Sequence, residues 1–247
     1  MKKDNSKFLK INPINRYRKE TIIMFHGWGS TVDSQVELGE TFSKIGFKVI
    51  IPEIKYHDKR NALNNHFQEG IVQTYFWKTI FESIDERTEL LDSLDLDVKN
   101  TILFGSSMGG FIASGMYFLN QEFAGLININ GSSSFVASEV FYRKRDNREP
   151  LNDGELHTFK LYDPKYKSFQ NDNPILLMHG ESDQIVPIIG QADFISSYEN
   201  QNRKINFLKY KDVNHTITNN MKNDLLNWLD KNFKKNLNIE RILLDER

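Results

Sequence analysis

An α/β architecture, a mostly parallel central sheet with helices on both faces, is predicted by two features of the sequence. Short apolar, partly β-branched runs alternate with stretches whose apolar residues recur at three- and four-residue steps. Runs such as Thr21–Phe25 and Pro174–Met178 are apolar almost throughout, as strands covered on both faces must be. Strand, helix, strand, helix is the order of a layered sheet whose crossovers are helical.

The elements follow in order. Phe8–Ile11 reads as an edge strand and Thr21–Phe25 as a buried one, running into His26-Gly-Trp-Gly-Ser30. Val32 to Ile45 has helical spacing, with Val36, Leu38, Phe42 and Ile45 on its apolar side and Asp33 near its start. A strand at Gly46–Ile51 is stopped by Pro52, and residues 53–66 form a polar loop containing Tyr56-His-Asp-Lys-Arg60. That loop reads as a solvated connection with structural contacts. A long helical region, about 66 to 95, repeats Phe76, Ile80, Ile84, Arg87 and Leu91. Thr101–Phe104 is a strand, Phe111–Leu119 a helix and Gly125–Asn130 another strand. Residues 132–173 lack a long apolar run and are too long for an ordinary connection. They read as a small helical cap insertion, in which the basic run Arg143–Glu149 is a solvated face. Pro174–Met178 resumes the sheet, 190–200 is a helix, Ile205–Tyr210 the last strand and Met221–Phe233 a closing helix. The polar tail 236–247 reads as frayed. One domain over 1–247 accounts for the whole pattern.

Composition narrows the functional classes. Lys+Arg of 32 against Asp+Glu of 33 gives a net charge of −1, so no global field favours nucleic acid or an anionic membrane. The absence of cysteine excludes disulfides, thiolate catalysis and Cys-based zinc sites, and fits a cytoplasmic location. No secretory leader or membrane span is expected. The histidines are His26, His57, His66, His157, His179 and His215, with no H-E-x-x-H among them, so neither a metal nor another cofactor is expected.

The stretch around Ser107 carries the chemistry. Gly105-Ser-Ser107-Met-Gly109 fits G-x-S-x-G between a strand and a helix, the context of a sharp turn that exposes a serine hydroxyl. Trp28, Ser107, Asp183 and His215 each lie just after an expected strand, at the carboxyl edge where open α/β sheets bind ligands. Their chain order is Ser, Asp, His.

His26-Gly-Trp-Gly, Gly105-Ser-Ser-Met-Gly109, His179-Gly-Glu-Ser-Asp-Gln-Ile-Val-Pro187 and Asn214-His215 together resemble the α/β-hydrolases. The likeness is to small esterases allied to dienelactone hydrolases and to the catalytic domains of prolyl oligopeptidases, and it spans residues 21–215. It implies Ser107 as nucleophile, His215 as base and Asp183 as the acid that orients it, with the backbone N–H groups of Trp28 and Met108 as oxyanion hole. Asp212 is the rival acid, disfavoured because it shares a loop with His215. His26 and His179 are implied to shape loops, and the Tyr56–Arg60 segment departs from the relatives' glycine-containing pattern and is given no catalytic role. The expected activity is hydrolysis of small or medium carboxylic esters. A thioesterase or peptidase using the same triad, and a non-enzymatic binding protein, are the alternatives. The expected partner is a small-molecule ester, and a homodimer is left open.

Overall fold

The computed structural model describes residues 7–15, 18–168, 171–198 and 204–234. The tail 236–247 and the end of the expected 190–200 helix lie outside these described residues.

Among the described residues, seven strands form one sheet in the order β1-β3-β2-β4-β5-β6-β7. They are β1 Phe8–Ile11, β2 Thr21–Phe25, β3 Lys48–Pro52, β4 Thr101–Ser106, β5 Gly125–Ile129, β6 Ile175–Gly180 and β7 Ile205–Tyr210. Only β1 is antiparallel to its neighbour; the other pairings are parallel, with Phe25 opposite Gly105 and Ser106 opposite Ile129. The central strands alternate between two cores. Ile23, Leu103, Leu126 and Leu177 enter one, while Ile22, Ile102, Ile127 and Leu176 enter the other. That division is the two-residue strand period with both faces covered.

On the first face lie α2 Glu69–Asp85, α3 Arg87–Leu94, α4 Met108–Leu119 and α7 Ile189–Ser196, whose Ile80, Leu91, Phe111 and Phe194 are buried there. On the other, α1 Val36–Lys44 and α8 Asn219–Asn232 bury Phe42, Leu225 and Leu229. The expected 32–45 helix opens with a 3-10 turn, Val32–Gln35. The closing helix starts before Met221 because the Thr218 side chain accepts from the Met221 N–H. The expected 66–95 helix is two helices meeting at Glu86, a residue gripped by Arg60 and Lys55 from the preceding loop.

Two expectations are corrected. The 53–66 loop makes the expected structural contacts, Asp58 accepting from the backbone N–H groups of Val32 and Ile54, but it is not solvated throughout, since His57 is fully buried. Nor is the run 143–149 merely a solvated face. Arg143 and Arg148 both donate to the buried Glu139, and Arg143 also grips Glu155. Long basic side chains followed the buried carboxylate rather than water.

Between β5 and β6, residues 130–174 carry α5 Phe135–Arg145, α6 Asp153–Tyr162 and the 3-10 turn Pro164–Tyr166. A capping box between Asn152 and Glu155 starts α6. Asp163 joins the pieces by accepting from the Val136 and Lys165 N–H groups.

Candidate active site

The chain turns so sharply at Ser107 that its φ is +56°, a conformation that costs a non-glycine residue about 1–3 kcal/mol. The flanking glycines make the turn feasible. A Cβ on Gly105 would lie 1.9 Å from the Gly109 carbonyl oxygen, and one on Gly109 would lie 2.1 Å from that of Phe25. The turn launches α4, so the Met108 N–H falls in the first turn, where no intrahelical acceptor exists.

The structure brings Ser107, His215 and Asp183 together from three loops. His215 Nε2 lies 2.9 Å from Ser107 Oγ, and His215 Nδ1 lies 2.7 Å from Asp183 Oδ2. The carboxylate fixes the tautomer: Nδ1–H donates to Asp183, leaving Nε2 to accept from the Ser107 hydroxyl. Asp183 is buried and its other oxygen accepts from the N–H groups of Ile185 and Val186. Burial by itself would raise this carboxyl, but the His179 ring with its Nε2 3.5 Å from Oδ2, the hydrogen bond from His215 and the Val186 N–H outweigh it and hold it far below the usual carboxylate range. The rival Asp212 occupies a left-handed turn just past β7, at φ +58°.

The Gly27-Trp28 turn runs alongside the serine: a Cβ on Gly27 would sit 3.3 Å from Ser107 Cβ. A buried polar cluster backs this turn. His57 Nε2 accepts from the Gly29 N–H, and His26 Nε2 meets Asp58 Oδ2 at 2.9 Å. Burial, reinforced by neighbouring imidazoles, pushes the His57 ring down to about 4, so it is a neutral acceptor at physiological pH. The Trp28 indole donates to the His66 carbonyl and packs edge-on against Phe76.

Sequence reasoning missed the groups that hold the loops in register. Asn130, at φ +50°, donates to the Thr216 carbonyl and accepts from the Gly180 N–H, tying β5, β6 and the His215 loop together. Asn214 Oδ1 accepts from both Gln184 N–H and His215 N–H, joining the acid loop to the base loop. His179 donates from Nε2 to the Val186 carbonyl, the loop-shaping position given to it above. An asparagine at the end of a strand, tolerant of φ > 0, was the available signal.

Above Ser107 lies a cavity of about 260 Å³ walled by Trp28, Phe76, Trp77, Tyr142, Ile185 and Val186, with Glu139, Arg145, Asp146 and Arg148 also on its lining. The basic run Arg143–Glu149 noted in the sequence contributes Arg145, Asp146 and Arg148 to this lining, although nothing local ties it to Ser107. Among the described residues, no group of three or more His, Asp or Glu side chains converges to hold a metal. Among the same residues, no helix is long and apolar enough to cross a membrane.

Comparison with known proteins gives a consistent neighbourhood. Residues 77–236 match the model of the prolyl oligopeptidase family. No curated protein matches at a significant level of similarity. Among solved structures, TT1662 from Thermus thermophilus superposes with a TM-score of 0.68 at 17% identity, covering 91% of this chain and 92% of that one. The S-formylglutathione hydrolase from Agrobacterium tumefaciens gives 0.65 at 16% identity, covering 91% and 89%. Esterase PE8 gives 0.62 at 16%, covering 90% and 97%.

Proposed function

We propose, from the premise that the chain belongs to the prolyl oligopeptidase family and has the α/β-hydrolase fold, that it is a serine hydrolase cleaving carboxylic esters of small or medium acyl groups. One observation carries the reading: a strained serine hydroxyl 2.9 Å from an imidazole whose far nitrogen is 2.7 Å from a buried carboxylate. In this reading Ser107 Oγ attacks the ester carbonyl as its proton passes to His215 Nε2. Asp183 holds the ring in register and stabilises the imidazolium. The backbone N–H groups of Trp28 and Met108 receive the oxyanion, each such donor being worth about 3 kcal/mol in the transition state. The imidazolium then protonates the leaving alcohol, and a water activated by the same base releases the acid from the acyl-serine. Residues 132–173 serve as the cap of a single domain.

The esterase and thioester-hydrolase names of structural neighbours favour acyl transfer to water without choosing between oxygen and sulfur esters. Family membership keeps peptide bonds as a second reading. Fluorophosphonate labelling of the wild type, absent in Ser107→Ala, tests the nucleophile, and a pure binding protein would remain unlabelled in both. A panel of p-nitrophenyl esters from acetate to palmitate, acyl thioesters and aminoacyl p-nitroanilides tests the substrate. Preference for the longest chains would overturn the small-or-medium acyl assignment, and preference for thioesters or for the anilides would overturn the ester reading.

A further inference from the structure

The cavity over Ser107 is apolar at Trp28, Phe76 and Trp77, but its α5 wall is charged. There every carboxylate oxygen already receives a donor. Glu139 takes hydrogen bonds on both oxygens, from Trp77 Nε1 and from Arg143 and Arg148. Both oxygens of Asp146 are met by Arg145, through Nε and Nη2.

The donors are not spent. Among the described residues, Arg145 makes no side-chain hydrogen bond beyond those to Asp146, leaving Nη1 over. Among the described residues, Arg148 donates a hydrogen bond only through Nη1, its Nη2 standing 3.7 Å from Asp146. The Tyr142 hydroxyl has no hydrogen bond to any described residue, although the residue is only 8% exposed. The Arg145 guanidinium lies 5.1 Å over the Tyr142 ring, so two of the three donor side chains are held together. Burial pushes the Tyr142 phenol well above its usual value, and it stays a neutral donor at physiological pH. The two arginines and two carboxylates of this wall balance in charge, so its complementarity to an anion carried on the substrate rests on the N–H and O–H donors left over.

We propose that Tyr142, Arg145 and Arg148 form a carboxylate subsite, and that the preferred substrates are esters bearing a free carboxylate rather than plain alkyl esters. This rests on the hydrolase reading of Ser107 and sharpens its substrate class. The apolar body of such an ester lies against Trp28, Phe76 and Trp77, and its charged end reaches the α5 wall.

Two ester pairs test it, each differing only in whether the carboxylate is free or methylated. On the acyl side the pair is p-nitrophenyl hydrogen glutarate and its methyl ester; on the alcohol side, 4-acetoxybenzoate and its methyl ester. In at least one pair the free acid is turned over with about tenfold higher kcat/KM, carried by KM, as one charge-assisted hydrogen bond allows. That ratio shrinks several-fold in Arg145→Gln and in Tyr142→Phe, and falls in high salt because the site is partly open to solvent. Ratios at or below one in both pairs, with hydrolysis still dependent on Ser107, overturn the subsite and leave the hydrolase reading standing. If Ser107 neither labels nor turns over any ester, the hydrolase reading fails instead. The subsite is then judged by calorimetric binding of monomethyl glutarate to Ser107→Ala. Binding at least several-fold tighter than to Ser107→Ala/Arg145→Gln supports it, and equal or undetectable binding overturns it.

Discussion

At the scale of single residues, the site is organised by where protons are held. Asp183 stays ionised because donors surround it in spite of its burial, and His215 is thereby fixed as an acceptor toward Ser107. Asp183→Asn keeps the shape and loses the charge and the tautomer. Its kcat is expected to fall by about 10⁴-fold with little change in KM, and a fall below tenfold in steady-state kinetics would remove Asp183 from the mechanism. His57 acts by the opposite device: burial keeps it neutral so that it can accept from Gly29. His57→Gln retains an acceptor but no ring packing against Trp28. It is expected to lower kcat about tenfold by loosening the Gly27–Gly29 turn from which the proposed mechanism draws an oxyanion donor, an amount below the loss of one full donor. An unchanged kcat would show that the turn is held without it.

At the scale of elements, close approach and capping decide more than propensity. The first turn of α4 touches the end of β2 with no room for a methyl group. Gly109→Ala is therefore expected to destabilise the fold by about 3 kcal/mol, readable as a lower urea midpoint. The α5–α6 insertion is tied at Asp163, whose carboxyl burial raises to about 6. Its folded value lies above the unfolded one, so its stabilising contribution is present below the ordinary 3.8 and is lost as pH rises through about 6. His57, with a folded value of about 4 against an ordinary 6.5, works in the other direction. Its contribution is present above 6.5 and is lost as pH falls through about 4. The two oppose each other across the shared window. In Asp163→Asn, urea midpoints are expected to fall more steeply than in the wild type on acidification from 6.5 to 4. An identical pH slope in the two proteins would contradict the assignment.

At the scale of the whole molecule, the charges nearly balance, with a net charge of −1 and an isoelectric point near 6.6. Self-association measured by light scattering is expected to peak near that pH and fall toward pH 8.5 as net charge grows. A profile flat across the isoelectric point would show that charge does not control association. The architecture itself was legible in the chain: fully apolar strands such as Ile175–Met178 announce burial on both faces, and the turn after Thr101–Phe104 needs its glycines wherever it occurs. Positions such as Trp28, Ser107, Asp183 and His215 could be assigned to one sheet edge because each follows a parallel strand. What the sequence could not contain is contact between segments that no period relates. The buried backing of the Gly27–Gly29 turn by His57 and Asp58, the Asn130 and Asn214 ties, and the α5 wall of the cavity all join residues far apart in the chain. Local pattern fixes which face a side chain presents; which distant group it then meets is decided only by tertiary packing.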